Sequence, residues 1–396
     1  MSSYIFRNIR LVSRHEVLDD QGVILQDNRI QNVVPAELAS HCVPPDTQVI
    51  DGGGRYLAPG FIDVHIHGAM NQLADWGPDA LEKMSQALLR FGVTGFLPTL
   101  TPQKDTKNEI QDLNALSARQ YSGTAVLGFF LEGHYLALTG SLSTIPRDYS
   151  PERVQSLIDA LSPYPVIFGI SPETPNITEL LPLMTRYGVP AFITHTKASA
   201  EQTEQAIRAG ATHATHFYDV FPYPGDQEGG VRGCGTVEAI LASDETTVDF
   251  ILDGEHVNPL AVRLALKAMG PDRVCFCTDA NVNAGMPPGT YPSMGGQEIT
   301  VAYEGAPARL GPKSHSPGGL NGSGLTLDRA VRNARALLDL PLPQAIAMAS
   351  TNPARVLGLG GRKGLIAPGY DADLILLDDQ LMVSETWVGG QPRYSR

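Results

Sequence analysis

Eight short apolar runs along the middle of the chain constrain the fold more than any other feature of the sequence. Each run is rich in β-branched and aromatic residues, and amphipathic stretches at helical spacing separate several of them, the pattern of consecutive βα units. The runs are FIDVHIHG (61–68), GFLPTL (95–100), AVLGFFLEG (125–133), VIFGISPE (166–173), AFITHT (191–196), THATHFY (212–218), VDFILDGEH (248–256) and VCFCTDA (274–280). Eight strands with helical crossovers predict an α/β fold, a parallel (β/α)8 barrel of the TIM type, which we place at residues 58–354.

Two of the segments between the runs show the helical pattern most clearly. Residues 79–92 place four apolar side chains along one stripe, namely Leu81, Met84, Leu88 and Phe91. Residues 199–210 end at Gly210, the residue type that commonly follows the last turn of a helix. Both segments are therefore predicted to be helices that connect neighbouring barrel strands.

The two ends of the chain follow a different pattern. Residues 1–57 and 355–396 contain short strand-like runs and tight turns without helices between them, as in YIFRNIRLV, GVILQDNRIQNVV and DADLILLD. We therefore predict a small β-sandwich domain that is assembled from both ends of the chain and flanks the barrel.

Polar side chains gather where the eight runs end. Seven of the ten histidines lie there: His65, His67, His134, His195, His213, His216 and His256. Glu132 and Asp279 occupy similar places. Because the carboxyl ends of the strands in an eight-stranded barrel meet on one rim, where catalytic groups are placed, we expect these side chains to form one site.

The donor atoms on this rim predict a metal site. For any single histidine, a hydrogen-bonded cap on a buried strand is the ordinary explanation. A ring formed by His65 and His67, by Glu132 and by one histidine on each of the fifth and sixth runs is better explained by a zinc-like metal. On the sixth run, His213 and His216 cannot both face inward in a regular strand, and we favour His216, which lies nearer the carboxyl end.

Hydrolysis at such a site needs one further group. A metal lowers the pKa of bound water, but attack on an amide carbonyl also requires a group that takes the proton and passes it to the leaving nitrogen. Asp279, which closes the eighth run, is the candidate for this general acid–base. The alternative is an aspartate that caps a turn or a helix.

Charge and composition exclude several classes of protein. The formal net charge of −13, with no basic cluster, argues against a nucleic-acid partner, because nucleic acid is bound mainly through Lys and Arg. No apolar run approaches the roughly 20 residues needed to span a bilayer, and MSSYIFRNIR has no secretory core, so we expect a cytoplasmic protein that does not bind membranes. The four cysteines are too scattered for a disulfide scaffold, and we interpret the pair in the eighth run as core residues: Cys42, Cys234, Cys275 and Cys277.

Several of these motifs together resemble a known family. PGFIDVHIHG, the single histidines after the fifth and sixth runs, TDA after the eighth and the C-terminal GLIAPGYDADLILLD are similar to the amidohydrolase superfamily. Within it, LEGHY, ATHATHFYDVF, DGEHV, CTDA and GLNGSGLTLDRAVRN resemble the N-acetylglucosamine-6-phosphate deacetylases. The resemblance covers essentially the whole chain.

The resemblance implies a set of metal ligands. Glu132, His195 and His216 match the family's core ligands, and His65 and His67 match the pair found in members that hold two metals, with Glu132 bridging. We therefore expect one or two divalent ions per chain. Zinc is the expected metal, and iron, manganese and cobalt are alternatives, because His and carboxylate ligands suit all four.

The resemblance also implies that Asp279 is the general acid–base, that His256 contacts a sugar, that the substrate is a small molecule and that the protein is a homodimer. The sequence departs from the family around the substrate. The family's proline after Glu-Gly is His134 here, and its asparagine in the YNAM segment is Asp219. We expect both residues to contact the substrate.

The phosphate-binding segment departs furthest from the family. Where the family carries an arginine that holds the sugar phosphate, this chain reads PGDQEGG, with Asp226 and Gln227 at that place. Replacing a cation by an acid should repel a phosphate. Arg232 lies close by in sequence and is the candidate substrate contact that replaces the missing arginine. A family histidine about twelve residues after Glu132 is also absent, because TGSLSTIP offers only hydroxyl groups.

These observations predict a metal-dependent amide hydrolase that removes the acetyl group from an N-acetylated amino sugar and whose phosphate pocket is altered. One alternative is hydrolysis of another C–N bond, in an N-acyl amino acid, a dipeptide or a cyclic amide, because the same fold and metals serve these reactions. A second alternative is a binding protein without catalysis. Such a protein is expected to have lost a ligand or Asp279, and the sequence retains all of them.

Overall fold

The computed structural model describes residues 3–39, 43–44, 46–142, 148–223, 225, 228–314 and 316–396. Eight parallel strands pair with one another in chain order and form a barrel. The strands are β1 (Phe61–Ile66), β2 (Val93–Leu100), β3 (Phe129–Tyr135), β4 (Val166–Ile170), β5 (Phe192–Ile193), β6 (His213–Ala214), β7 (Thr247–Ile251) and β8 (Val274–Cys277). The predicted barrel fold is thereby confirmed.

The barrel closes between β8 and β1. The backbone N–H of Asp279 donates to the carbonyl of His65 over 2.8 Å, and Ile66 and Ala280 form a parallel bridge. Nearly all residues of the eight strands are buried. The runs are therefore continuously apolar instead of alternating, because the barrel interior covers one face of each strand and the helices cover the other.

Each predicted run overlaps its barrel strand, and several strands are shorter than the run. Three strands extend one or two residues beyond it: Val93–Leu100, Phe129–Tyr135 and Thr247–Ile251. β5 and β6 comprise only two residues each. The polar residues that end these runs leave the strand ladder and turn into the rim of the barrel. Six of the eight runs therefore extend past the carboxyl end of their strand, whereas β2 ends with its run and β3 ends two residues after its run.

One helix follows each barrel strand and packs on its outer side. In chain order these helices are Pro78–Leu88, Thr106–Ser117, Pro151–Leu161, Ile177–Met184, Ala200–Arg208, Thr236–Ala242, Pro259–Met269 and Leu327–Leu338. Among the described residues, the remaining α-helices are Ala36–Ala39, Leu342–Ala349 and Thr351–Val356.

Local signals in the sequence explain where two of these helices begin and end. In Pro78–Leu88, the stripe residues Leu81, Met84 and Leu88 are buried, as predicted. In Ala200–Arg208, a capping box between Ser199 and Gln202 starts the helix. Gly210 follows its last turn with φ 116°, a conformation that residues with a Cβ rarely adopt.

The two ends of the chain form two sheets. A four-stranded sheet has the order Arg29–Pro35, Gln21–Gln26, Ser3–Arg7 and Gln48–Asp51. A six-stranded sheet mixes both ends in the order Gln391–Ser395, Val383–Val388, Leu374–Leu377, Tyr56–Pro59, Arg10–Val12 and Val17–Leu18.

One hydrophobic cluster joins these two sheets. Phe6 and Val23 of the four-stranded sheet pack in it together with Leu374, Leu376 and Trp387 of the six-stranded sheet. Strand Leu374–Leu377 contributes to two cores. Leu374 and Leu376 belong to the cluster between the sheets, whereas the alternate side chains, Ile375 and Leu377, belong to the barrel core. The six-stranded sheet is thus shared between the β-layer and the barrel. The division of the chain into two domains at residues 57 and 354 stays a prediction.

A three-stranded antiparallel sheet is inserted between β8 and its helix. Its strands are Gly289–Pro292, Glu298–Val301 and Arg309–Leu310. Three further strands are short: Gly68–Ala69, Gln72–Leu73 and Ala125–Val126. In the described part of the chain, every helix is too short or too polar to cross a membrane.

Candidate metal centre and active site

The histidine pair of the opening motif lies at the carboxyl end of β1. His65 is in the strand and His67 follows it, and both rings are buried. Their Nε2 atoms lie 3.4 Å apart. Both atoms face the same carboxylate oxygen, Oε2 of Glu132, at 3.5 Å from His65 and 3.0 Å from His67. The pair therefore points at a carboxylate across the barrel.

The other oxygen of Glu132 faces the second pair of histidines. Its Oε1 atom lies 3.3 Å from Nε2 of His195 and 3.1 Å from Nε2 of His216. Glu132 projects from β3, whereas the two histidines follow β5 and β6. One buried carboxylate thus offers one oxygen to each pair of imidazoles.

Three of these site residues have an unusual backbone conformation. His195, His216 and Asp279 each lie two residues beyond the end of a barrel strand, and their φ angles are 49°, 34° and 43°. A left-handed conformation costs about 1 to 2 kcal/mol for a residue with a Cβ, and such residues cluster at active sites. Backbone hydrogen bonds hold two of these turns: His195 accepts from Leu138 over 3.1 Å and Asp279 accepts from Ser323 over 2.8 Å.

The charges of the cluster are strongly coupled. Burial alone would lower the pKa of His67, but its hydrogen bonds with Asp279 and Glu132 raise it to about 10. Burial would likewise lower the pKa of His216, and the hydrogen bond with Glu132 raises it to about 10. Burial would raise the pKa of Glu132, but the surrounding imidazoles hold it well below its ordinary value. The cluster therefore stabilises positive charge.

A divalent cation fits this donor set. Two groups of three buried donors share Glu132, the first completed by His65 and His67 and the second by His195 and His216. Within each group the ligand atoms lie within 4.8 Å of one another. Metal binding displaces protons from imidazoles, and a site that stabilises positive charge is suited to that exchange. The two His/Glu groups thus form a candidate metal site of the type expected in this fold.

Asp279 lies beside the first pair. Its Oδ1 atom is 3.4 Å from Nε2 of His67 and 3.5 Å from Nε2 of His65. Burial would raise the pKa of Asp279, but the hydrogen bond with His67 and the nearby imidazoles lower it below its ordinary value. Asp279 is therefore ionised at neutral pH and can accept a proton.

His213 lies away from this cluster. Its Nε2 atom is 2.9 Å from Oδ2 of Asp249 on β7, and its Nδ1 atom is 2.7 Å from Oγ1 of Thr247. The structure thus places His216 beside Glu132 and His213 beside Asp249.

A cavity of about 260 Å³ opens onto the cluster. Asp279 and three of the candidate ligands line it, together with Asp219 and His256: the ligands are His67, Glu132 and His195. The segment between β8 and its helix contributes Leu310 and Leu320 to the lining. Asp279 and two of the expected substrate contacts, Asp219 and His256, therefore line the same cavity.

His256 is fixed by a neighbouring carboxylate. Its Nδ1 atom is 2.6 Å from Oδ2 of Asp253, and the backbone N–H of His256 also donates to Asp253. Burial would lower the pKa of His256, but the Asp253 carboxylate raises it. Within the described residues, its Nε2 atom is buried without a hydrogen-bond partner, which leaves it available to a ligand.

Two other expected substrate contacts lie elsewhere. Nε2 of His134 is 2.8 Å from Oε1 of Glu109, a buried carboxylate that also pairs with Arg153. Arg232 is exposed and pairs with Glu238. Neither His134 nor Arg232 is among the described residues that line the cavity, and their contact with substrate stays a prediction. The predictions for Asp226, Gln227 and Cys42 fall outside the described residues, as does the second half of the TGSLSTIP segment, residues 143–146.

Two buried carboxylates beneath the site were missed by the sequence reasoning. Asp63 accepts hydrogen bonds from the hydroxyl and the backbone N–H of Thr278, and burial raises its pKa to about 7. Asp249 accepts from the backbone N–H of His216 over 2.6 Å. The available signal was an acid inside an otherwise apolar barrel strand, in FIDVHI and TVDFI.

Comparison with known proteins gives consistent results. The model of the amidohydrolase family matches residues 56–393. The N-acetylglucosamine-6-phosphate deacetylase of Lysinibacillus sphaericus is 32% identical over 402 residues, 99% of this chain and 98% of the relative. The N-acetylgalactosamine-6-phosphate deacetylase of Escherichia coli O157:H7 is 29% identical over 98% of this chain and 99% of the relative.

Solved structures of similar proteins share the whole architecture. The N-acetylglucosamine-6-phosphate deacetylase from Pasteurella multocida is 27% identical and superposes with a TM-score of 0.86, covering 100% of both chains. A mutant of the Mycobacterium smegmatis deacetylase in complex with N-acetyl-D-glucosamine-6-phosphate is 26% identical and also has a TM-score of 0.86 over 100% of both chains.

Proposed function

The chain belongs to the amidohydrolase family, and we propose that it removes the acetyl group from an N-acetylated amino sugar. The observation that carries the proposal is the carboxylate of Glu132, which lies between two pairs of buried histidines on a cavity that Asp279 also lines. The names of the similar proteins, which act on N-acetylglucosamine 6-phosphate and N-acetylgalactosamine 6-phosphate, support an acetylated amino sugar.

We assign the ligands in two groups. His65, His67 and Glu132 would hold one divalent ion, and Glu132, His195 and His216 would hold another, so that each chain binds one or two ions. Such an ion supplies Lewis acidity, which polarises a substrate carbonyl and lowers the pKa of water. Zinc, iron, manganese and cobalt all suit these ligands.

Asp279 moves the proton during the reaction. As an ionised carboxylate on the cavity, it accepts a proton from the attacking water while the new C–O bond forms at the acetyl carbon. It then donates that proton to the amide nitrogen as the C–N bond breaks. The products are acetate and the free amino sugar, and Asp279 returns to its ionised form.

His256 and Asp219 would contact the sugar. The unpaired Nε2 atom of His256 can hydrogen-bond a hydroxyl group of the substrate, because Asp253 fixes the ring through Nδ1. Asp219 can accept a hydrogen bond from a hydroxyl or an amino group but repels a phosphate. Among the described residues, the lining of the cavity contains no Lys or Arg. We therefore propose that the phosphate pocket is altered and that the preferred sugar lacks a phosphate.

A panel of substrates tests both parts of the proposal. Metal-replete enzyme is incubated with N-acetylglucosamine and N-acetylgalactosamine, with their 6-phosphates, and with N-acetyl amino acids, and acetate release is measured. We expect kcat/KM to be highest for an acetylated amino sugar and at least about tenfold higher without the phosphate, equivalent to about 1.4 kcal/mol. Activity confined to the amino acids contradicts the sugar assignment, and a preference for the phosphate esters contradicts the altered pocket.

A further inference from the structure

A chain of hydrogen bonds runs from a buried carboxylate to one of the candidate ligands. Thr215 Oγ1 donates to Oδ1 of Asp249 over 3.2 Å and lies 3.0 Å from Nδ1 of His65. All three residues are fully buried. Asp249, Thr215 and His65 come from β7, the segment after β6, and β1, so the contacts connect three parts of the barrel.

The direction of these hydrogen bonds fixes the tautomer of His65. An ionised carboxylate only accepts, and a hydroxyl group has a single hydrogen to donate. Because Thr215 donates its hydrogen to Asp249, its oxygen can only accept from Nδ1–H of His65. The lone pair of His65 is then on Nε2, the atom that faces Glu132. Neutral imidazole binds metal through such a lone pair.

Two further contacts hold Asp249 in place. The backbone N–H of His216 donates to Oδ1 over 2.6 Å, and Nε2 of His213 lies 2.9 Å from Oδ2. Thr247 in turn holds the other nitrogen of His213 over 2.7 Å. These contacts prevent the Asp249 carboxylate from rotating away from Thr215, and His213 supports it at the other side-chain oxygen.

We propose that Asp249 and Thr215 are positioning residues that keep His65 in its metal-binding tautomer. The proposal rests on the proposed metal chemistry of the His65, His67 and Glu132 group. A partner that orients a metal-binding histidine typically changes metal affinity 10- to 100-fold when it is removed. The same effect is expected here for the ion that depends on His65, whereas an ion held by the other group should be affected less.

Matched substitutions at Thr215 test the proposal. Thr215→Val has nearly the same shape but no hydroxyl, whereas Thr215→Ser keeps the hydroxyl. Metal-free protein is titrated with Zn²⁺, and affinity and stoichiometry are measured by calorimetry and elemental analysis. We expect Thr215→Val to lower the affinity of one ion about 10- to 100-fold and Thr215→Ser to restore most of it. The melting temperature of each metal-free variant reports whether it is folded.

A double-mutant cycle with His65 separates positioning from a general loss of structure. In a His65→Ala background, Thr215→Val should have no further effect on Zn²⁺ affinity, because the ring it orients is absent. An equal loss in both backgrounds, or equal losses for the Val and Ser variants, overturns the proposal. If the unmodified protein binds no divalent ion, the proposed function fails as well. Equal Zn²⁺ affinity of the unmodified protein and Thr215→Val overturns the positioning role alone.

Discussion

Asp279→Asn is the sharpest test of the proposed chemistry. The substitution keeps the size of the side chain and removes its ability to accept a proton. Asp279 lies 3.4 Å from Nε2 of His67 and lines the cavity. Glu132 cannot replace it as a base, because four imidazole nitrogens lie within 3.5 Å of its carboxylate. Asp279 is thus the carboxylate of the cluster that is positioned to exchange a proton with the reacting atoms.

The expected loss follows from this assignment. General acid–base catalysis contributes about 10²- to 10⁴-fold to rate, and Asp279 acts in both the attack and the departure of the leaving group. We therefore expect kcat to fall by roughly 10³- to 10⁴-fold, about 4 to 5.5 kcal/mol in activation free energy. Metal content should remain that of the unmodified enzyme, since Asp279 lies outside both groups of three donors.

The assay measures acetate release and metal content on the same preparations. The asparagine side chain that the substitution introduces does not ionise, so residual activity should also lose the acidic limb of the pH–rate profile that Asp279 titration produces. The reasoning is refuted if kcat falls less than about tenfold while the metal is retained. It is also refuted if activity and metal are lost together, because Asp279 would then be needed for the ion and not for the proton.

Two other predictions concern stability. In metal-free protein, the pKa values of His67 and His216 are raised from 6.5 to about 10, so their contribution to stability is complete below about pH 6.5 and is lost as the pH rises to about 10. Calorimetry should therefore show a melting temperature that falls between about pH 6.5 and pH 10. A melting temperature that does not change with pH contradicts the interaction of these histidines with their carboxylate partners. Glu109→Ala leaves the buried His134 and the partly buried Arg153 without their carboxylate and should cost about 3 kcal/mol in denaturant unfolding, the lower end of the range for breaking a buried ion pair. Glu204→Ala, at an exposed ion pair, is the control and should cost less than about 1 kcal/mol; equal losses contradict this account.

The barrel could be predicted from the sequence because its strands are buried on both faces. Such strands appear as continuous apolar runs, and the helices between them have apolar stripes and end signals such as Gly210. The exact strand ends could not be predicted. β5 and β6 stop after two residues because the following residues turn inward, and no local propensity encodes that turn.

The sequence predicted part of the candidate site, and the local backbone explains why His134 does not share a face with Glu132. Alternation along a strand would place Glu132 and His134 on one face. Gly133 has φ 110°, and the pairing of β3 with β4 shifts register across it, so His134 faces Glu109 on a neighbouring helix instead. Asp249 was missed for a different reason: its partners lie on other strands, and spacing within one strand does not show them.

The six-stranded sheet has a consequence for biosynthesis. Tyr56–Pro59 lies between Arg10–Val12 and Leu374–Leu377, so one edge of a strand made early on the ribosome finds its neighbour only when translation is nearly complete. Until then, that edge is unpaired, and the apolar cluster around Leu57 lacks the residues that the C-terminal strands contribute, such as Leu374 and Trp387. Nascent chains stalled inside the barrel should therefore be the species that chaperones engage and that aggregate most readily.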